Sequence, residues 1–281
     1  MIVGCFHIHS PGTALLGIMI CLSVFFLSGC AARRPLPIAP SFSMEEYPRR
    51  LLRQAMEWNR DIVTARGKGW LTIDSPEIRA RFRMIWAAGV QTRNQTGTQK
   101  KAQARITLLE AGLPVETIII NPDKQPLPDS VFSRARRAGT SRIRKVTNRN
   151  AKYFFPVDVP VEHIVRLLLG QIPLASFVRA ESSFHGPDTA SPVTIITEDQ
   201  AQDLQQKITW NDQGIIQQIR METPSGAMSH GITFSLWKQN GQYRIPHRIT
   251  MVNEKGERMV LSITALKPNA SIKSWVFSTG Q

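Results

Sequence analysis

The segment Leu27-Ser28-Gly29-Cys30 contains residue types that fit one defined chemistry. It closes an uncharged apolar run, Ala14 to Leu27, which has the length of a signal-peptide core and is short for a bilayer span. The small residues Ser28 and Gly29 offer a protease an uncrowded extended strand. The thiol of Cys30 is a nucleophile that can then carry a thioether-linked lipid.

This pattern resembles the lipobox of bacterial lipoproteins. The resemblance implies that residues 1–29 are a removed signal peptide, that Cys30 is acylated, and that the protein is sorted to the outer membrane, facing the periplasm, because Ala31 and not Asp follows the cysteine. Cys5 and Cys21 would leave with the signal, so the mature chain would hold a single cysteine and no disulfide. Residues 1–13 contain no Lys or Arg, so an ordinary signal peptide with a chance cysteine and an uncleaved anchor stay open as alternatives.

The chain after the cysteine divides into two parts. Residues 30–47 are rich in proline and have no periodic apolar face, which predicts a semi-extended tether to the membrane. Residues 48–281 are long for an average domain but fit one domain of the β-barrel or sandwich type.

Positive charge is concentrated in one half of the sequence. The formal net charge is +14, and residues 31–150 carry +13 of it. In an exported lipoprotein this charge does not indicate nucleic acid; it favours acidic protein, anionic lipid or lipopolysaccharide, with the densest cluster at Arg134–Arg149 as the predicted contact. A solvated face that keeps the protein soluble is the alternative.

Hydrophobic periodicity predicts two helices and many strands. A stripe at helical spacing within Met44–Ile62 predicts a helix that begins near Pro48, and Pro160–Leu169 predicts a second one. Residues 77–86 alternate between apolar and charged types, as in a strand with one buried and one wet face. Further strands are predicted at 104–110, 115–120, 143–154, 206–210, 215–221, 232–237, 243–251, 259–266 and 272–277, and Ser130–Gly139 is predicted to be a loop or short helix.

These elements predict an α+β fold. About eleven amphipathic antiparallel strands cannot stay flat, so we expect an incomplete, half-open β-barrel whose mouth is closed by a helical lid.

Three short motifs resemble the LolA/LolB family of periplasmic lipoprotein carriers and an uncharacterised group of related lipoproteins. They are Ala65-Arg66-Gly67-Lys68-Gly69-Trp70-Leu71, the turn Gly112-Leu113-Pro114, and Arg166-Leu167-Leu168-Leu169-Gly170-Gln171-Ile172-Pro173. The resemblance implies an apolar cavity for acyl chains under a helical lid. It also implies that Leu113 is exposed on a turn and contacts the membrane; a leucine folded against its own strands is the alternative.

The expected ligand-binding residues are aromatic, Met and Leu side chains of the predicted strands. They are Trp70, Phe82, Met84, Trp86, Phe234, Leu236 and Trp237, each of which could instead be plain core. Gly67 and Gly69, at a strand start, are expected to allow a bulge or bend.

No catalytic motif occurs in the sequence. A nucleophile elbow, a metalloprotease helix and a glycine-rich phosphate loop are lacking, and His163, His185, His230 and His247 do not have metal-ligand spacing. The sequence therefore predicts a non-enzymatic protein without a cofactor. We expect it to bind acyl chains of a lipid or lipoprotein and assist their transfer at the outer membrane; the alternative is a structural lipoprotein that uses the fold as a docking module for envelope machinery.

Overall fold

The structure is a computed structural model, and nine stretches of the chain are described. They are residues 46–92, 100–120, 131–137, 140–146, 155–157, 159–174, 179–183, 193–199 and 204–278. All lie within one compact unit, Met44–Gln281. The predicted signal peptide, Cys30 and the tether up to residue 45 lie outside the described residues.

Both predicted helices are present, as α1 (Glu46–Glu57) and α2 (Val161–Leu168). Pro160 directly precedes α2, where its fixed φ suits a helix start. Gly170 adopts a φ of +73°, a conformation that favours glycine and ends the helix. Each helix presents one apolar stripe to the core, formed by Leu51, Leu52 and Ala55 in α1 and by Ile164, Val165, Leu167 and Leu168 in α2.

Thirteen described strands form one antiparallel sheet. They are β1 (Thr64–Asp74), β2 (Arg79–Thr92), β3 (Lys100–Glu110), β4 (Leu113–Ile120), β5 (Val131–Arg137), β6 (Thr140–Val146), β7 (Arg179–Ser183), β8 (Val193–Asp199), β9 (Leu204–Trp210), β10 (Ile216–Glu222), β11 (Met228–Asn240), β12 (Tyr243–Asn253) and β13 (Arg258–Pro268).

The strand order is β6-β5-β4-β3-β2-β1-β13-β12-β11-β10-β9-β8-β7. Two meanders are thus joined by the pairing of β1 with β13, the first and last strands. Among the described strands, β6 and β7 end the order and do not pair with each other, so the sheet is open. The α+β half-open barrel is confirmed, with thirteen strands where about eleven were expected.

Two local predictions are wrong. The segment Ser130–Gly139 was expected to be a loop or short helix, but β5 lies within it and pairs with both β4 and β6. Its backbone pairing does not depend on apolar alternation, which this arginine-rich segment lacks. The expected strand at 272–277 is a 3₁₀ turn, Ser274–Phe277, in which Phe277 is buried and Trp275 is exposed.

The sheet has a covered face and an outer face. The covered face is packed against α1 and α2 and carries the apolar core, whereas the outer face carries most of the charged side chains. Along β2, Phe82, Met84 and Trp86 lie on the covered face and alternate with the exposed Arg81 and Arg83. This alternation is the one the sequence predicts.

A bulge interrupts the pairing of β1 with β13 beside Gly69, with Thr264 of β13 as the extra residue. The register of β1 against β13 shifts between Lys68 and Gly69, and a side chain at Gly69 would overlap the carbonyl oxygen of Ser262. Of the bulge or bend expected at this glycine pair, the structure has a bulge beside Gly69, where the backbone of β13 approaches closely.

Candidate functional site

The candidate site is the centre of the covered face, where β2 and β3 lie under α2 and β1 pairs with β2. The register places Trp86 of β2 between Gly67 of β1 and Ile106 of β3. Met84 is next to it on the same face, opposite Gly69. Met84 and Trp86 are 2% and 4% exposed, so both expected ligand-binding residues are buried in the apolar core.

Trp86 connects the sheet to α2. Its indole lies over Gly67, because a Cβ added at Gly67 would overlap the six-membered part of the indole ring. On its other side, the indole Nε1 donates a hydrogen bond to the carbonyl oxygen of Leu168, at the end of α2, over 3.0 Å. Gly67 thus allows a large aromatic ring to lie flat against β1 while it holds the helix.

A second aromatic cluster lies at the β11–β12 hairpin. The ring centroid of Trp237 is 6.0 Å from that of Phe234 and 5.2 Å from that of Trp58, in an edge-on arrangement. The structure therefore brings two expected residues, Phe234 and Trp237, into contact and adds Trp58, which was not expected at the site.

Asn59 fixes both helices to this hairpin. It follows α1 with a φ of +53°, and its side-chain amide donates to the carbonyl oxygens of Gly170, over 2.6 Å, and of Arg244, over 2.9 Å. The indole of Trp58 also donates to the Arg244 carbonyl, over 3.1 Å. This junction was missed from the sequence; the signal available was an asparagine just past a helix end, a common left-handed cap.

Two expected ligand-binding residues do not face the core. Trp70 lies on the outer face, since it alternates with the buried Gly69 and Leu71, and the Arg81 guanidinium carbon lies 4.5 Å from its ring centroid. Leu236 is 62% exposed because its φ of +55° turns the side chain away from the face that carries Phe234. The expectation that these two side chains line the covered face is wrong.

Leu113 lies at the start of β4, directly after the turn that joins it to β3. Ala111 and Gly112 both have positive φ, at 48° and 82°, and Leu113 is 70% exposed. The leucine therefore does not fold back against its own strands, and an apolar side chain is presented to solvent.

A separate pocket of about 420 Å³ opens at one end of the sheet. It is lined largely by polar side chains and lies away from Trp86 and α2. Its lining includes Ser75, Thr223, Ser229, Asn253, Glu254 and Glu257.

The histidines do not form a metal site within the described part of the chain. No three His, Cys, Asp or Glu side chains there come close enough to hold an ion, and His185 lies outside the described residues. His247 is partly buried; this burial lowers its pKa, the charge of Lys238 lowers it further, and a backbone hydrogen bond with Ile263 opposes the shift. Over the described residues, no helix has the length and apolarity to span a bilayer.

Comparison with known proteins shows which fold this chain has. No protein-family model and no curated protein matches the sequence. Among solved structures, the chain is similar to one named as an outer membrane lipoprotein-sorting protein domain, from Vibrio parahaemolyticus, with 12% identity, a TM-score of 0.56, and coverage of 83% of this chain and 97% of that one. It is also similar to a DUF1329 family protein from Desulfovibrio piger, with 7% identity, a TM-score of 0.53, and coverage of 83% and 95%.

A third similar structure is a LolA superfamily protein from Nitrosomonas europaea, with 10% identity, a TM-score of 0.49, and coverage of 82% of this chain and 97% of that one. At these identities the likeness concerns the fold. The chain therefore shares the fold of the solved lipoprotein-sorting protein domain, which agrees with the fold that the sequence motifs implied.

Proposed function

We propose that this protein is an outer-membrane lipoprotein, anchored at Cys30 and facing the periplasm, that binds acyl chains of a lipid or lipoprotein and assists their transfer. The observation that supports this most is the arrangement around Trp86. An apolar face is covered there by one short helix, α2, whose buried residues are all aliphatic. A helix of eight residues has little stability of its own, so its position depends on packing.

In this proposal α2 is the lid. When α2 moves away, Phe82, Met84, Trp86 and Phe234 would present an apolar surface to an acyl chain, which gains roughly 0.8 kcal/mol for each buried methylene. The chain then replaces the contacts that α2 made. No bond is formed or broken, so the transfer requires no catalytic group and no cofactor.

Leu113 and the basic segment Arg134–Arg149 are proposed to act at the membrane. An exposed leucine on a turn can enter the acyl region of a bilayer while its backbone stays at the headgroups. The side chains of Arg134–Arg149 lie outside the described residues; their charge favours anionic lipid or lipopolysaccharide.

Quenching of tryptophan fluorescence by a brominated fatty acid tests the proposal. The chain has six tryptophans, of which Trp86 is buried under α2 and Trp275 is 64% exposed. We expect the fatty acid to quench the full-length protein, the Trp86→Phe variant to lose most of the quenched signal, and the matched Trp275→Phe control to keep it. An unquenched wild-type protein would reject the acyl-chain site.

The second candidate is a docking module for envelope machinery. The observation in its favour is the junction at Asn59, which ties both helices to the β11–β12 hairpin and favours a fixed helix over a moving one. The quenching experiment separates the two functions. A docking module would be folded, as cooperative unfolding would show, but its tryptophans would not be quenched by the fatty acid.

A further inference from the structure

The outer face of four adjacent strands carries a dense array of positive charge. Strands β2, β1, β13 and β12 contain nine Lys and Arg residues and a single acidic residue, Asp74. Eight of the nine are exposed side chains of the outer face. They are Arg66, Lys68, Arg79, Arg81, Arg83, Arg248, Arg258 and Lys267.

The register sets these charges side by side. Arg66 lies directly opposite Lys267, and one row across the sheet runs from Arg83 through Trp70 and Ser262 to Arg248. Like charges placed opposite each other on a sheet are destabilising. The described residues provide one compensating ion pair here, between Arg79 and Asp74 over 3.1 Å. Cations therefore far outnumber anions on this face of the described strands, and an external anion would neutralise the excess charge.

Trp70 adds an aromatic group at the centre of this face. The guanidinium of Arg81 stacks on its ring, and Ile85, on the same face, is 43% exposed. Tryptophan is enriched at the membrane–water interface, where its ring lies at the level of the headgroups. The face therefore combines cations with apolar groups that a headgroup layer accommodates.

We propose that this outer basic face, defined by those eight residues with Trp70 and Ile85, docks onto an anionic phospholipid bilayer. Neighbouring strands are about 4.8 Å apart, so the cations form a two-dimensional array several strands wide. Such an array matches a continuous layer of phosphates better than the few carboxylates of an acidic protein segment. The inference does not depend on what the covered face binds.

The experiment uses the full-length protein reconstituted into neutral phosphatidylcholine vesicles. It applies equally to a protein anchored by a lipid on Cys30 and to one held by an uncleaved N-terminal segment. Capture of a second, labelled population of vesicles is then measured. We expect capture of phosphatidylglycerol vesicles, little capture of phosphatidylcholine vesicles, and loss of capture as added salt shortens the Debye length below about 10 Å.

Charge reversal locates the surface. Arg81→Glu with Arg83→Glu should weaken capture at least about tenfold, because each basic residue near an anionic surface contributes about a factor of five. The double variant Arg66→Glu, Lys267→Glu should weaken vesicle capture to a similar extent. Arg81→Lys with Arg83→Lys should stay near wild type. The matched control, Arg53→Glu with Arg60→Glu, changes the same charge at exposed positions in and just after α1, on the covered side, and should lose less than about twofold.

Equal losses in the control and outer-face variants would overturn the proposal, as would capture of neither vesicle type, which would leave an acidic protein as the occupant. Fatty-acid quenching of the Arg81→Glu, Arg83→Glu variant is measured in parallel. Unchanged quenching together with lost docking would show that the two surfaces act separately.

Discussion

The indole nitrogen of Trp86, in β2, donates a buried hydrogen bond to the carbonyl oxygen of Leu168, the last residue of α2. This bond lies between residues 82 positions apart in the sequence and joins the centre of the sheet to the proposed lid. It ties the end of α2 to one side chain of the sheet.

Replacing Trp86 with Phe should loosen α2. The change leaves a buried carbonyl without its donor, which costs about 1–3 kcal/mol in the free energy of unfolding. We expect faster amide hydrogen exchange in α2 than elsewhere, measured by mass spectrometry beside urea denaturation. Trp275→Phe, at an exposed position, should change neither quantity; uniform acceleration over the whole chain would instead indicate a general loss of stability.

Gly67→Ala should disturb the packing of Trp86 from the side of β1, opposite α2. The added methyl group would overlap the Trp86 ring, so the ring or the strand must move, at a cost of about 1–3 kcal/mol. Gly89→Ala is the control in the neighbouring strand, because its methyl group would meet its nearest neighbour at 3.5 Å, an ordinary contact. Chemical denaturation and the Trp emission spectrum should both distinguish the two variants, and equal stability of both would contradict the packing described for Trp86.

Substitutions at Asn59 should separate backbone strain from hydrogen bonding. Asn59→Gly removes the two amide donations but tolerates the positive φ, whereas Asn59→Ala removes the donations and adds strain of about 1 kcal/mol. We expect Ala to be the less stable of the two by thermal and urea unfolding. Identical stabilities of the Gly and Ala variants would mean that the positive φ is not maintained.

His247 should make the protein less stable in mild acid. Its folded pKa is lowered, chiefly by burial, below the ordinary value of 6.5, so between the two pKa values the unfolded chain binds more protons than the folded one. The contribution of neutral His247 to the free energy of unfolding is complete above about pH 6.5 and decreases as the pH falls towards the folded pKa. His247→Gln should flatten this part of the stability curve, measured by urea unfolding at a series of pH values; an unchanged curve would contradict the assignment.

Cys30→Ala should either release the protein into the periplasm or leave an uncleaved precursor, since it removes the proposed acylation site. Fractionation and intact mass measurement distinguish these forms. A variant that is processed to the normal size and remains in the membrane would contradict the lipoprotein assignment.

The fold was predictable where the hydrophobic periodicity of the sequence is strong. The alternation from Arg79 to Trp86 and the stripe in α2 are local patterns that follow directly from the geometry of strands and helices. Strand β5 was not predictable, because its pairing with two neighbours is a tertiary property and its sequence lacks a regular alternation of apolar and polar residues along its whole length.

The site was predictable only in part. Met84, Trp86 and Phe234 lie on the covered face as expected, but Trp70 lies on the outer face, where the alternation along its strand places it. The side chain of Leu236 points away from the covered face because its φ is positive, and hydropathy does not predict a positive φ. The junction at Asn59 depends on carbonyls more than one hundred positions away, which no local pattern contains.

Photo-crosslinking with a diazirine fatty acid tests the central claim most directly. The full-length protein is labelled, digested with trypsin and analysed by mass spectrometry to the modified residue. The account predicts adducts in peptide 84–93 at Met84 or Trp86, competed away by unlabelled fatty acid. Adducts confined to outward-facing residues such as Trp70 or Leu236, or a lack of competition, would contradict an acyl-chain site on the covered face.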